Sequence, residues 1–281
     1  MSRFSISKGE NVTEIITIDN YTDKKLLQYI KSGGRYLLRF GHGLGDTIMF
    51  MPLLDWLRNE YPDCTFDLYV AWGQEMIWTS ATELEPPGYD YIFILHFPMS
   101  EGSELLKQHK CAIAELGMLP QQLTGIPEVA PLPLKESPLV ALHFQGTALP
   151  GSVNCPEPIA RQIWQEVKDF GKIPIEVHFQ HAFHNAVNGR YSWIDVSVRN
   201  YKATLANLFG LIQRSWAFIG VASGPFVVAL STMPERLMYL ERRHPLSTYT
   251  KREDIASVKI EEYRQGQVTT WLGSLEEKDV K

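Results

Sequence analysis

Cysteine is scarce in this chain: there are three, Cys64, Cys111 and Cys155, far apart and without metal-ligand spacing. So sparse and odd a set argues against a disulfide framework and fits buried thiols in a reducing compartment. No apolar run approaches the roughly 18 residues of a membrane-spanning helix. Residues 1–20 are polar and charged, so no secretory signal is expected there. Neither charge sign dominates: 27 Lys and Arg stand against 32 Asp and Glu, a net charge of −5. Bulk electrostatics therefore gives no reason to expect a nucleic-acid partner. An Asp-x-Asp metal pair is missing. The dinucleotide fingerprint Gly-x-Gly-x-x-Gly is begun at Gly43 and Gly45 but broken by Ile48. Internal repeats and low-complexity segments are lacking too. A cytoplasmic protein is expected, with peripheral contact at the inner face of the membrane left open.

What is present is ordinary for a globular protein: 281 residues, 44% hydrophobic and 21% charged. That length suffices for one large or two modest α/β domains. Residues 24–31 have a short helical period, stopped at Ser32-Gly33-Gly34. Arg35–Phe40 reads as a buried strand. A helix follows, carrying Ile48, Met49, Met51, Leu53, Leu54 and Leu57 on its apolar side, and Tyr61-Pro62-Asp63 ends it. Pro52 is expected about one turn in, where its missing N–H costs little. Strands are expected at 66–70 and 89–97, and a helix at 104–116. The proline-rich stretch 119–138 reads as a linker. A second series then begins: strand 139–144, helix 157–170, strand 173–179, a short strand at 193–196, helix 203–215. Strand 216–221, helix 224–232 and strand 236–240 complete it. The charged tail holds one more strand at 256–260 and a final helix. Two β-α-β series predict parallel sheets covered by helices on their faces.

Two turns recur between strand and helix: Gly43-Leu44-Gly45-Asp46 and Ser223-Gly224-Pro225. Such turns aim unpaired N–H groups and the positive end of a helix dipole at whatever lies above the sheet edge. Asp46 has two readings, a helix N-cap or a general base for a hydroxyl. Ser223 likewise is either a plain cap, followed by Pro225 in the first turn, or a holder of diphosphate. Phe144-Gln145-Gly146-Thr147 is an ordinary loop or a further edge of the same site. His178, His181 and His184 fall at three-residue intervals, but on an expected strand, where such spacing alternates faces, so no metal site is expected. Arg242-Arg243-His244 follows a strand and is read as a solvated loop or an anion contact. The tryptophans, Trp56, Trp164 and Trp216 among the seven, sit at core positions.

The order of these motifs resembles the bacterial heptosyltransferase family. Phe40-Gly-His-Gly-Leu-Gly-Asp46, the helix with Pro52, and Leu57-Arg-Asn-Glu-Tyr-Pro62 are similar to that family's opening. Thr204–Ile212 and Ala217-Phe-Ile-Gly-Val-Ala-Ser223-Gly224-Pro225 are similar to its later helix, strand and Asp-Ser-Gly-Pro turn. The resemblance implies a GT-B fold, two Rossmann-like domains facing across a cleft. Residues 1–130 would bind the acceptor, with Gly43 and Gly45 at its site and Asp46 as catalytic base. Residues 131–281 would bind a nucleotide-sugar donor through Gly146, Thr147, Ser223, Gly224 and Pro225. The implied activity is inverting, metal-independent sugar transfer to a hydroxyl of a glycan or glycolipid, without a cofactor. Three family positions differ: the acidic residue of the second turn is Ala222, its histidine is Val227, and the lysine is absent from Ser152-Val-Asn-Cys-Pro156. A non-catalytic sugar-nucleotide or glycan-binding protein on the same scaffold is therefore the alternative. A nicotinamide-dependent oxidoreductase has only the α/β pattern in its favour.

Overall fold

The computed structural model describes residues 3–6, 13–18, 27–40, 43–70, 88–95, 138–146, 153–177, 191, 193–194, 205–250 and 252–280. The chain divides into two compact units, the change falling between Ile113 and Ile126. The expected linker but for its last residue 138, the helix 104–116, and residues 24–26 of the segment 24–31 lie outside the described residues.

The first unit carries β1 (Arg3–Ile6), β2 (Thr13–Ile18), β3 (Arg35–Phe40), α1 (Leu44–Glu60), β4 (Thr65–Val70) and β5 (Tyr91–Leu95). Its sheet runs β1-β2-β5-β3-β4, with β1 antiparallel to β2 and every other pair parallel. In register, Leu38 lies between Leu68 and Phe93, and all three side chains are buried. Leu44, Thr47, Ile48, Leu54 and Leu57 form the buried side of α1. Near its end, Arg58 donates Nη2 to the Phe66 carbonyl at 2.7 Å and ties helix to strand. Pro52 is the ninth helical residue, not one turn in as expected, so the helix forgoes a bond to the Ile48 carbonyl in its interior. The strand pair β1–β2 was not anticipated.

The second unit carries β6 (Leu139–His143), α2 (Glu157–Asp169), β7 (Ile173–Glu176), α3 (Leu205–Arg214) and β8 (Ala217–Val221). It continues with α4 (Gly224–Thr232), β9 (Leu237–Glu241), β10 (Ala256–Lys259) and α5 (Gln267–Val280). The order β10-β9-β8-β6-β7 is parallel throughout. Alternation sends Val140 and Leu142 to one face, where they meet Ala160, Ile163 and Val167 of α2 and Val268, Leu272 and Leu275 of α5. On α4, residues 225–231 are all buried, which explains its apolar composition. Trp193 and Ile194 form a turn rather than the start of a strand.

Glu166, buried on α2, supplies a capping carboxylate to the start of α5 from another helix. Its carboxylate accepts from the N–H groups of Gly266, Val268 and Thr269 at 2.9, 3.1 and 3.2 Å, and from the Tyr263 hydroxyl at 2.9 Å. The orphan donors of α5 are thereby satisfied, and a buried charge is placed at the positive end of a dipole.

Candidate functional site

Both sheets share one topological feature. In each, the first strand of the α/β series has its second strand on one side and its third on the other: β4-β3-β5 and β7-β6-β8. Chain connections leave in opposite directions there, so a crevice opens at the carboxyl ends of the strands. The two turns singled out by sequence both stand at these points.

In the first unit, Gly43 is the N-cap of α1, with φ −63° and ψ 160°, and among the described residues no side chain caps the helix. Asp46 is the third helical residue, so the reading of Asp46 as the N-cap is corrected. Gly45 is the second. The buried Thr47 hydroxyl turns back to the Gly43 carbonyl at 3.2 Å, as does its N–H at 3.0 Å. The cap carbonyl is thus used, while a glycine cap offers nothing to the N–H groups of the first turn.

The second unit differs. Ser223 caps α4: its Oγ accepts from Phe226 N–H at 3.3 Å and donates to the Val221 carbonyl at 3.1 Å. Pro225 has no N–H to give. Gly224 is left as the first-turn donor that neither the cap nor proline removes. Gly146 meets this turn from β6. A Cβ built on it would lie 3.0 Å from the Ala222 carbonyl oxygen and 3.7 Å from the Ser223 Cβ, so a larger residue would push the two loops apart by a few tenths of an ångström. The Gly146 N–H, an expected phosphate donor, instead donates to Asn154 Oδ1 at 3.0 Å. Thr147 lies outside the described residues. Val227, at the position of the family's histidine, is buried in α4.

Sequence reading passed over Asn154 and His143. An Asn eleven residues beyond the end of a strand carries no signal of its own, and His143 lies within an apolar run. His143 ends β6 buried, its Nδ1 2.7 Å from the Val177 carbonyl. Burial pushes its pKa down to about 4. The ring is therefore neutral at pH 7, donates from Nδ1, and has at Nε2 a lone pair with no hydrogen-bond partner among the described residues. Burial likewise raises the Cys155 thiol to about 12, so it is an inert core group. His178, His181 and His184 lie outside the described residues, and among the described residues no His, Cys, Asp and Glu cluster could hold a metal. No helix among them is long and apolar enough to cross a membrane.

The fold has known counterparts among glycosyltransferases. The iron-containing dodecameric heptosyltransferase TibC of enterotoxigenic E. coli, in its ADP-D-β-D-heptose complex, matches 89% of this chain and 77% of its own at TM-score 0.60 and 13% identity. The ADP-heptose LPS heptosyltransferase II of E. coli matches over 88% and 100%, at TM-score 0.52 and 15% identity. A family 9 glycosyltransferase of Veillonella parvula matches over 89% and 99%, at TM-score 0.54 and 12% identity. No protein-family model matches the chain, and no curated protein does. The likeness fixes the fold as α/β and heptosyltransferase-like, with both α/β units inside the match.

Proposed function

We propose that this protein is a glycosyltransferase that moves a sugar from a nucleotide-diphosphate donor to a hydroxyl of a glycan or glycolipid. The reading is carried by one coincidence: the match to heptosyltransferase structures spans both units, and both motif turns stand at the switch points of their sheets. The first unit binds the acceptor near Gly43 and Gly45. The Asp46 carboxylate takes the proton of the acceptor hydroxyl, whose oxygen attacks the anomeric carbon. The bond from that carbon to the diphosphate oxygen breaks on the opposite side, so the configuration inverts. The second unit holds the donor at Gly146, Thr147, Ser223, Gly224 and Pro225. The dipole of α4 and the Gly224 N–H stabilise the leaving diphosphate in place of a metal or other cofactor. A glycolipid acceptor would bring the protein to the inner face of the membrane.

Asp46→Asn keeps the size of the side chain and removes the base. Transfer from a panel of nucleotide sugars should fall by about 100-fold or more with the melting midpoint unchanged, the usual scale of general-base catalysis. Wild-type turnover in this variant would remove Asp46 from the mechanism.

A second reading, a sugar-nucleotide or glycan binder without turnover, is favoured by the hydrogen-bond accounting of the second unit. The Gly146 and Phe226 N–H groups are already engaged, and Val227 is apolar. The two readings part on a thermal-shift panel followed by product analysis. Both expect stabilisation by a nucleotide sugar, about 2.7 kcal/mol at 100 times its Kd; only the first expects released nucleoside diphosphate.

A further inference from the structure

The carboxyl ends of β6, β8 and β9 are linked by a relay that starts on an arginine. Arg242 is the first residue beyond β9. Its Nη1 donates to the Asn154 main-chain carbonyl at 2.6 Å. The Asn154 side-chain oxygen accepts from the Gly146 N–H at 3.0 Å. Gly146 in turn abuts the Ala222 carbonyl so closely that a Cβ would lie 3.0 Å from it. Asn154 is gripped on both sides, because Val153 and Cys155 are buried and Cys155 N–H donates to the Phe144 carbonyl at 2.9 Å. A pull on the Asn154 carbonyl therefore fixes its side chain, and through it the Gly146 turn.

The Arg242 side chain is 34% exposed and forms a long ion pair with Glu261 at 4.0 Å. Exposed pairs of this kind add little to stability. A short, charge-assisted bond to a main-chain carbonyl at the carboxyl edge of a parallel sheet is instead a device for placing a loop. We propose that Arg242, acting through Asn154, is a positioning residue for the donor site. It sets the Gly146 turn against Ala222–Ser223 and so fixes the space above the Gly224 helix start. This role rests on the proposed donor site in the second unit.

The test uses the full chain and metal-free titration of ADP, UDP, GDP and CDP. For whichever nucleotide binds best, Arg242→Met and Asn154→Ala should each raise Kd about tenfold, the effect of one charged or fixed hydrogen bond. The double variant should be no worse than either single one, since both break the same relay. Arg242→Lys, which keeps a donor and the charge, should recover part of the affinity. Melting midpoints should stay at the wild-type value, while amide exchange at Gly146 quickens in Arg242→Met and Asn154→Ala. Additive losses, unchanged Gly146 exchange, or variants that bind as tightly as wild type would overturn the positioning role and leave the donor reading standing. A wild type that binds no nucleotide would overturn the donor reading and this role with it.

Discussion

The helices that leave the two switch points, α1 and α4, begin in opposite ways. Gly43 caps α1 with backbone alone, so the cap residue itself offers the first-turn donors no side-chain acceptor. Ser223 caps α4 with its hydroxyl, Pro225 removes a second donor, and Asn154 engages the Gly146 N–H beside it. Both turns read alike as strand, tight turn, helix. Their hydrogen-bond accounts differ. A helix start is an anion site only to the extent that the chain has not already satisfied its donors. The glycine cap of the first turn takes none of its donors, whereas the second turn spends most of its own on holding its loops. Under the proposed function, the donor diphosphate is then held mainly by the dipole and one N–H.

A third helix start sets the scale. α5 borrows the buried carboxylate of Glu166, which meets three main-chain donors and a tyrosine hydroxyl. Glu166→Ala leaves those groups buried without an acceptor. The expected cost is about 3–5 kcal/mol, typical of breaking a buried charged network. Denaturant unfolding should show it as a lower midpoint, and a loss below about 1 kcal/mol would mean that water replaces the carboxylate.

His143 gives the next largest effect. It ends β6 beneath the capped turn, while β3 ends on Phe40, which cannot titrate. The buried imidazole has its pKa pushed from 6.5 to about 4. Below pH 6.5 the unfolded chain takes a proton that the folded chain refuses. Stability is therefore full above pH 6.5 and is lost as pH falls toward 4, by about 3 kcal/mol in all. His143→Gln should flatten that limb of the stability curve. An unchanged slope would show that other groups govern it.

Much of this was legible in the residues. The runs Arg35–Phe40 and Trp216–Val221 gave their strands to within a residue, because buried parallel strands are continuous apolar runs. Helix α4 was bounded as observed, since Ser223 and Pro225 mark its start. The β1–β2 pair is not legible because Thr13–Ile18 alternates only weakly and lies between polar flanks. Pro52 was misplaced because the helix starts at Leu44, earlier than an Asp46 cap would allow. Asn154, Glu166 and Arg242 act through partners 8, about 100 and 88 residues away in sequence, a separation that no local pattern reports. The site's residue types were readable; which donors were already taken was not.

Ser223→Ala tests the second turn directly. Losing the cap should cost about 1 kcal/mol of stability. It also releases the Phe226 N–H, which the hydroxyl now occupies at 3.3 Å. If the hydroxyl serves only the helix, affinity for nucleoside diphosphate should hold or rise while the melting midpoint falls. A tenfold loss of affinity would instead show that the hydroxyl itself contacts the ligand.

Gly43→Ser makes the reverse exchange and has the smallest expected effect on stability. The extended backbone at Gly43, φ −63° and ψ 160°, suits a serine cap without strain. Its hydroxyl would reach the Asp46 N–H as Ser223 reaches that of Phe226, one residue type and one helix turn repeated. Serine exceeds glycine as a cap by only a few tenths of a kcal/mol, so the melting midpoint should rise by about 1–2 °C. Transfer should move the other way. If the uncapped donors of α1 serve the acceptor, kcat/KM for the acceptor should fall several-fold while the donor KM stays fixed. A variant that gains stability and keeps full turnover would show that α1 contributes only the Asp46 carboxylate, and that its uncapped start is an ordinary glycine cap after all.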